Sequence, residues 1–490
     1  MNESTPHASE HQRPREIDAT ERMSEHEALM WNIEKDPWLN PSGGALFIFD
    51  QPIDVDLLRA RMRTAVANLP RFTQRVQPGL GRLSTPAWVP DPEFDFNSHF
   101  RVMTLSGPGT ERQLLDLAAH LYTEPLDRTR PLWRMVVIEG LESGQGALWN
   151  LMHHAISDGI GQLRIGEMFQ DLERDVPRSP DIDLEGIVAR AAAEYRQKEA
   201  GGDLGSSLAA AASASVGHVA RRVAGTARRA AGEIAMWPAD PARVGERVSD
   251  VASVVAGTAE QLTHQVEEGE GAPLWRTRSR HRHLESVTVP LDELKAASKA
   301  ADTTINVAFV AGMADAAARY HADRGASFDT LNMSFVLSTR TDNRAGGNSF
   351  TPVLVQLPGG LLEREKRLAT TAEILDAARD EASRGGGITA LSGVVNLLPT
   401  SVVTRTARSQ AAKIDLATSN LRGAPFPLYI GGARIERSVT MGPLAGTPCN
   451  ATALSYCNNF DIGLFIDPVA IEDPGAFRQC VVDAFDVLLA

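Results

Sequence analysis

The string His153-His154-Ala155-Ile156-Ser157-Asp158-Gly159 holds the residue types of this chain that are best suited to catalysis. A histidine can accept or donate a proton near neutral pH, and here two of them precede an aspartate and a glycine in the pattern HHxxxDG. Successive side chains of a strand point to opposite faces, so adjacent histidines diverge while the strand is regular. We therefore expect one histidine to be a base and the other to be structural. Apolar residues flank both, so alternation does not decide which is which.

Other chemistries find little support around this motif. Adjacent histidines on a regular strand point apart, which does not suit a shared metal ion, and the GxSxG pattern of serine hydrolases is absent. A thiol nucleophile would need long-range folding, because Cys449, Cys457 and Cys480 all lie about 300 residues away. A base without a nucleophilic partner suits direct transfer, in which a hydroxyl loses its proton to the histidine and attacks a thioester carbonyl. Such a reaction also needs an oxyanion donor. A purely structural role for both histidines is the alternative.

The elements around the motif are suited to positioning it. Residues 146–156 have the pattern of a strand, Asp158 and Gly159 that of a turn, and 159–172 that of a helix which Asp158 is placed to cap. The rest of the chain alternates between apolar runs typical of strands and helical spacing. Before residue 181 we predict strands at 43–50 and 131–141 and helices at 24–34, 54–68 and 110–122. After residue 272 we predict a long helix at 304–320, a closing helix from Pro474, and strands at 283–291, 331–338, 351–357, 434–441, 450–456 and 460–467.

The stretch 181–272 differs from its neighbours, because it is rich in Ala, Gly, Ser and Arg. Within 206–237 apolar residues recur at helical spacing, and four arginines stand against one glutamate. A basic amphipathic helix can lie on an anionic membrane. The competing interpretation is a linker helix between two domains, with its arginines in water. That interpretation is favoured by an apolar face made mostly of Ala and Val.

Composition restricts the class of protein. The chain has 490 residues, 62 acidic and 49 basic side chains, and a net charge of −13, which argues against nucleic acid as a partner. The few cysteines fit a reducing compartment. Residues 1–22 do not resemble a signal peptide, and no apolar run is long enough to span a membrane. The phosphate-loop patterns GxGxxG and GxxxxGK[ST] are absent. We expect a soluble, cytosolic protein of at least two units.

Several further motifs occur in order along the chain. They are RPLW at 130–133, LSTR at 337–340, GNSFTP at 347–352 and SNLRGAPFPLYIGGARI at 419–435. Together with HHAISDG at 153–159, they make the sequence resemble the bacterial wax ester synthase/diacylglycerol acyltransferase family. That family lies within the CoA-dependent acyltransferases, which include chloramphenicol acetyltransferase and the condensation domains of peptide synthesis. The resemblance runs from about Met23 to the C-terminus.

The resemblance implies roles for individual residues. The second histidine, His154, would be the general base beside His153 and Gly159, and Asp158 would be architectural, with Arg340 as its candidate partner. Pro131, Leu132 and Trp133 would line the acyl or acceptor channel, although core packing explains them equally well. The family commonly carries Asn-Asp at the start of the long helix after the linker, but here the pair is Asn306-Val307. We expect Asn306 to donate to the oxyanion or to fix the geometry of the site, and no metal is implied.

The resemblance also implies an architecture and an activity. We expect an α/β fold of two chloramphenicol-acetyltransferase-like units packed as a pseudo-dimer with a channel between them. They would comprise a polar tail (1–22), an N-terminal unit (23–180), a helical linker (181–272) and a C-terminal unit (273–490). The expected reaction moves a long-chain acyl group from acyl-CoA, as co-substrate and without a bound cofactor, to a diacylglycerol or long-chain alcohol, with no acyl-enzyme.

The expected setting follows from the lipid acceptor. The protein would be cytoplasmic, a monomer or homodimer, and in transient contact with the inner membrane or lipid droplets, with 206–237 as the candidate contact. Three alternatives remain: a secondary-metabolite or glycolipid acceptor, a carrier-protein thioester as donor, or a lipid- or acyl-CoA-binding protein of low activity.

Overall fold

The computed structural model describes residues 21–79, 85–201, 271–338, 350–385, 396, 399–443 and 445–490. In the first half, strands β1–β7 are Glu21–Arg22, Ser42–Phe49, Gln74–Gln77, Ala87–Pro90, Phe100–Thr104, Trp133–Glu139 and Ala147–His153. Helices α1–α6 are Glu25–Ile33, Val55–Ala67, Phe96–His99, Glu111–Thr123, Gly159–Gly166 and Leu184–Gly201.

The second half continues the alternation of strands and helices. Strands β8–β15 are His283–Pro290, Thr330–Ser338, Phe350–Pro358, Leu416–Arg422, Tyr429–Ile430, Ala433–Met441, Cys449–Tyr456 and Asn459–Ile466. Helices α7–α11 are Leu291–Ala300, Ile305–Ala322, Arg364–Gly385, Thr400–Ala411 and Pro474–Leu489. The described strands form two six-stranded sheets and one small three-stranded sheet.

The first large sheet has the order β12-β13-β2-β7-β6-β5 and carries the HHxxxDG motif at the end of β7. Strand β2 lies in its middle, and all but one of its eight residues are buried. On one side β2 pairs with β7, so that Ser42 is opposite His153. On the other side it pairs with β13, which comes from the second half, so that Ala45 is opposite Thr440. The sheet that holds the motif is therefore built from both halves of the chain.

The second large sheet has the order β10-β9-β11-β14-β15-β8. Strand β11 runs parallel to both of its neighbours, whereas the remaining pairs are antiparallel. Helices α8 and α11 cover this sheet with buried residues such as Phe309, Met313 and Phe477, and so form a second hydrophobic core. Each large sheet thus buries apolar side chains against helices, which is how a layered α/β fold satisfies its apolar faces.

Side-chain caps fix the starts of several helices. Ser24 and Glu27 form a capping box at α1, and Thr110 and Gln113 form another at α4. Such caps satisfy N–H groups that the first helical turn leaves without a partner. Helix α5 is shorter than the predicted 159–172: it ends at Gly166, and residues 167–170 continue as tight turns with bonds from Met168 N–H to Ile165 O and from Phe169 N–H to Gly166 O.

Candidate active site

The two histidines lie where β7 gives way to a turn. The backbone N–H of His153 donates to Leu132 O at 3.0 Å, and that of His154 donates to Pro41 O at 3.0 Å. The N–H of Ile156 then donates to His153 O at 2.9 Å, which closes the turn. The two rings contact different elements, since that of His153 lies near α1 and that of His154 lies against β2.

His154 is 7% exposed, and its ring is packed against the backbone of β2. A Cβ atom built on Gly43 would lie 3.1 Å from His154 Nε2 and 3.6 Å from Met441 O. Only a glycine at position 43 leaves this ring ordinary van der Waals room. The Nε2 atom of His154 therefore lies where β2 pairs with β13.

Burial lowers the pKa of His154 to about 4, although the charge of Asp158 opposes this shift. Removing a charge from water is costly, so burial favours the neutral imidazole. At pH 7 the ring is therefore neutral and able to accept a proton.

Asp158 is buried and caps helix α5, with its Oδ1 accepting from the N–H of Gly161 at 2.8 Å. This agrees with the expected helix cap. Gly159 is the first residue of α5, and a Cβ built on it would lie 3.1 Å from the side chain of Leu421 on β11. Arg340 lies outside the described residues, so its pairing with Asp158 stays a prediction.

Pro131, Leu132 and Trp133 are buried beside the motif. The carbonyl of Leu132 accepts from His153, as given above, and Trp133 is opposite Met152 in the β6–β7 pair. The indole N–H of Trp133 donates to Phe72 O at 2.9 Å, which fixes the ring. Leu132 is thus a core residue, whereas Trp133 also faces a cavity.

An apolar passage begins next to the motif. A first cavity of about 80 Å³ lies between the first sheet and α5. Its walls include Gly159, Trp133 and Met152, with Leu421 and Leu454 from the second sheet. A second cavity of about 510 Å³ shares four of these wall residues, which are Phe47, Leu163, Gln170 and Leu454.

The second cavity leads towards the surface. Its rim includes Leu172 and Phe426, whose exposed fractions of 70% and 49% are high for such apolar side chains. Because the two cavities share wall residues, they lie side by side between Gly159 of the motif and the exposed rim. We call the two adjacent cavities together the apolar passage.

Asn306 is in the first turn of α8, which begins at the cap Thr304 and packs in the second core. The next residue, Val307, is buried in that core. The structure therefore brings His153, His154, Asp158, Gly159 and the 131–133 segment together around the end of β7. Asn306 belongs to an element of the other half.

The sequence reasoning missed two residues, His26 within α1 and Glu34 at its C-terminal cap. His26 is buried, which lowers its pKa, and the charge of Asp158 opposes this shift. Glu34 lies 3.4 Å from the ring of His153. Local patterns do not link helix α1 to a strand so distant in the sequence, although the capping box at Ser24 does predict the helix itself.

The described part of the chain contains no group of three or more His, Cys, Asp or Glu side chains arranged to hold a metal ion. Among the described helices, none is long and apolar enough to cross a membrane. The 206–237 segment, predicted as a linker or membrane contact, lies outside the described residues.

Comparison with known sequences gives matches over most of the chain. Residues 23–309 match the wax ester synthase/diacylglycerol acyltransferase catalytic domain, and residues 346–489 match the WS/DGAT C-terminal domain. The chain belongs to the wax ester synthase/diacylglycerol acyltransferase family. The resemblance stated from the motifs is thereby confirmed.

Individual relatives cover almost the whole chain. A putative diacylglycerol O-acyltransferase of Mycobacterium tuberculosis is 30% identical over 471 residues, which are 94% of this chain and 90% of that protein. A probable diacylglycerol O-acyltransferase of the same organism is 27% identical over 433 residues, 86% of this chain and 88% of its own.

Solved structures confirm the fold class. The wax ester synthase/diacylglycerol acyltransferase from Marinobacter aquaeolei VT8 aligns with a TM-score of 0.63 at 19% identity, covering 95% of this chain and 98% of that one. The first condensation domain of the calcium-dependent antibiotic synthetase aligns with a TM-score of 0.54 at 16% identity, covering 96% and 97%. The starter condensation domain of rhizomide synthetase, solved with C8-CoA and Leu-SNAC, aligns with a TM-score of 0.51 at 13% identity, covering 96% of each chain.

Proposed function

We propose that this protein transfers a long-chain acyl group from acyl-CoA to the hydroxyl of a diacylglycerol or a long-chain alcohol, with His154 as general base. The observation that carries the proposal is the neutral, buried ring of His154, which belongs to the same motif as Gly159 in the wall of the apolar passage. Membership of the family supports the reaction class, as do the names of the relatives.

The chemistry needs one base and no covalent acyl-enzyme. His154 Nε2 takes the proton of the acceptor hydroxyl while the hydroxyl oxygen attacks the thioester carbonyl. The tetrahedral intermediate then collapses, the C–S bond breaks, and the imidazolium returns the proton to the CoA sulfur. Asp158 and Gly159 hold the start of α5 beside the ring, and Asn306 remains the proposed donor to the oxyanion.

The apolar passage is suited to an alkyl chain. Its walls are mostly aliphatic and aromatic, and burying each methylene of a chain there contributes about 0.8 kcal/mol. Trp133 would then line the channel, as proposed for the 131–133 segment. That a related fold has been solved with C8-CoA supports acyl-CoA as the donor.

The cellular setting and domain division follow as proposals. A lipid acceptor implies transient contact of a cytoplasmic protein, as monomer or homodimer, with the inner membrane or lipid droplets. We retain 206–237 as the candidate contact, an N-terminal unit over 23–180, a linker over 181–272 and a C-terminal unit over 273–490.

The test is thiol release from palmitoyl-CoA, measured with hexadecanol, with a diacylglycerol and without acceptor. We expect acceptor-dependent release that falls by about 10²- to 10⁴-fold in His154→Ala, since positioned bases contribute that much. His321→Gln is the control, because His321 is a fully buried histidine of the second core.

Turnover close to wild type in His154→Ala, with the protein folded, would show that His154 is not the base. Absence of release with both acceptors in the wild type would favour another acceptor or a binding role. Replacing CoA with a loaded carrier protein tests the carrier-dependent alternative.

A further inference from the structure

The first histidine of the motif sits in a cluster that the acyl-transfer chemistry does not itself use. His153 is completely buried, and its Nε2 lies 3.4 Å from Oε2 of Glu34, the residue that follows the last turn of α1. The carboxylate of Glu34 also accepts from the guanidinium of Arg128. The ring of Trp31 packs edge-on against His153, with ring centroids 6.3 Å apart.

Arg128 is itself held in place by two contacts with Trp31. Its Nη2 donates to Trp31 O at 2.8 Å, and its guanidinium carbon lies 3.4 Å from the centre of the Trp31 ring. A planar guanidinium stacked on an aromatic face has little freedom to move. Oε2 of Glu34 therefore accepts from Arg128 and is the same oxygen that lies near His153 Nε2.

The backbone determines which nitrogen of His153 carries the proton. The N–H of Ala155 donates to His153 Nδ1 at 2.9 Å, so Nδ1 is an acceptor and carries no hydrogen. The ring is consequently neutral, with its proton on Nε2. That proton points to the side of Glu34. The distance of 3.4 Å between His153 Nε2 and Glu34 Oε2 is longer than an ordinary hydrogen bond, but it is short enough for strong electrostatic attraction.

Charges in the cluster are balanced. Burial opposes ionisation of Glu34 most strongly, but its contacts with His153 and Arg128 hold its pKa below the usual value. Glu34 is thus an anion, paired with one cation and one neutral ring. A buried carboxylate that stays charged beside an imidazole N–H is an arrangement that fixes a tautomer.

The tautomer of His153 has a consequence for His154. Only with Nδ1 as acceptor can the His153 ring hold the N–H of Ala155, which is the residue immediately after His154. The same turn is closed by the bond from Ile156 N–H to His153 O. The backbone that presents the His154 ring to Gly43 is therefore tied on its far side to the ring of His153.

We propose that Glu34 is a positioning residue for acyl transfer, which fixes the Nε2–H tautomer of His153 and thereby the turn that aims His154. Arg128 keeps the carboxylate in place. This inference rests on the proposed function, in which His154 is the base. Glu34 touches neither substrate nor reacting atoms and is not among the residues lining the apolar passage.

The first test is the kinetics of Glu34→Leu and Glu34→Gln. Leucine removes the acceptor, so we expect kcat to fall about 10- to 100-fold, the usual effect of losing such a supporting partner. The KM for palmitoyl-CoA should stay within about twofold, because the passage is untouched. Glutamine keeps an oxygen that can attract Nε2–H, so Glu34→Gln should recover most of kcat even if it unfolds more easily.

Glu285 provides a matched control. Its side chain is 13% exposed against 12% for Glu34, and it too contacts one arginine and one histidine, Arg112 at 2.7 Å and His283 at 2.6 Å. It belongs to β8, away from the motif. Glu285→Leu should lower stability and leave kcat per folded molecule within about twofold of wild type.

The second test reads the tautomer without activity. In protein labelled with ¹⁵N-histidine, two-bond ¹⁵N–¹H spectra distinguish Nε2–H from Nδ1–H rings. The signal assigned to His153, by its loss in His153→Gln, should be Nε2–H in the wild type. It should change to Nδ1–H or a mixture in Glu34→Leu and remain unchanged in Glu285→Leu.

The outcomes separate this inference from the proposed function. A wild-type kcat in folded Glu34→Leu, or an unchanged His153 tautomer, overturns the positioning role even where His154→Ala is inactive. Equal losses in Glu34→Leu and Glu34→Gln overturn it too, because the charge alone would then matter. If His154→Ala keeps its turnover, the base assignment fails, and the spectra alone then decide whether Glu34 fixes the tautomer.

Discussion

The ring of His154 is subject to two opposing effects on its pKa, burial and the nearby charge of Asp158. Burial removes the ring from water, which lowers its pKa to about 4, while Asp158 keeps a negative charge close by. A base of this kind is neutral throughout the physiological range, so its protonation state does not limit turnover there. Its charged form is disfavoured until a reaction delivers a proton together with a developing negative charge on the substrate.

This predicts an unusual pH dependence. Above its folded-state pKa the ring is neutral and active, so kcat/KM should stay flat as pH falls through 6.5, where an unperturbed histidine would already be protonated. Activity should be lost only as pH approaches about 4. Initial rates between pH 4 and 8, with circular dichroism at each pH as the control for folding, measure this. A half-point near pH 6.5 with folded protein would contradict it.

Strand β2 contains two adjacent glycines, Gly43 beside the proposed catalytic base and Gly44 beside the backbone of the neighbouring strand. Gly43 leaves room for the His154 ring, whereas Gly44 leaves room for the backbone of β7, because a Cβ on Gly44 would lie 2.1 Å from Asn150 O. A side-chain ring can shift by a few tenths of an ångström, but a paired strand cannot move by an ångström without breaking its ladder. The two glycines should therefore fail in different ways.

Gly43→Ala should lower kcat by about tenfold with little loss of stability, because the displaced ring no longer meets the reacting atoms correctly. Gly44→Ala should destabilise the fold by about 3 kcal/mol or more, since it forces overlap with backbone. Steady-state kinetics and urea unfolding of both variants compare these effects. Equal losses of stability in the two variants would argue against the distinction.

Elements with a clear apolar period were predictable from the sequence, and others were not. Strands β7 and β13 and helix α8 lie within a few residues of their predicted bounds. Strand β11 was not anticipated, because its sequence LATSNLR is largely polar and its strand conformation depends on parallel pairing with β9 and β14. In the site, the motif and the 131–133 segment were recognisable, but the approach of Glu34 to His153 depends on how α1 packs.

At the scale of the whole molecule, both halves build the apolar passage. Leu421 and Leu454 come from the second sheet and face Phe47 and Leu163 of the first half. Leu454 lines both cavities and therefore lies at the junction between them. A period-two pattern identifies β13 as a strand but does not say which sheet it joins, so this shared construction was not visible in the sequence.

Leu454→Trp should narrow the passage at this junction. We expect turnover of palmitoyl-CoA to fall at least about tenfold, since a single methylene more or less in an apolar pocket is already worth about 1–3 kcal/mol. Butyryl-CoA, whose chain ends before the junction, is the internal control and should keep its rate. Parallel losses with both donors would show that the chain does not run along this route.

Because β13 of the second half pairs with β2 in the first sheet, the folding of the first half should depend on the second. Without β13, strand β2 becomes the edge of its sheet and exposes the apolar residues 46–49, which is a template for aggregation. The hydroxyl of Tyr122, which donates to Ser42 O at 2.7 Å and lies 3.3 Å from Gly442 O, would lose one of its neighbours. Residues 1–201 expressed alone should therefore aggregate or lack the near-ultraviolet dichroism of packed tryptophans, and co-expression with residues 271–490 should restore soluble material. A monomeric first half that unfolds cooperatively by itself would show that β2 does not need its partner strand, and that the two halves share a site without sharing a fold.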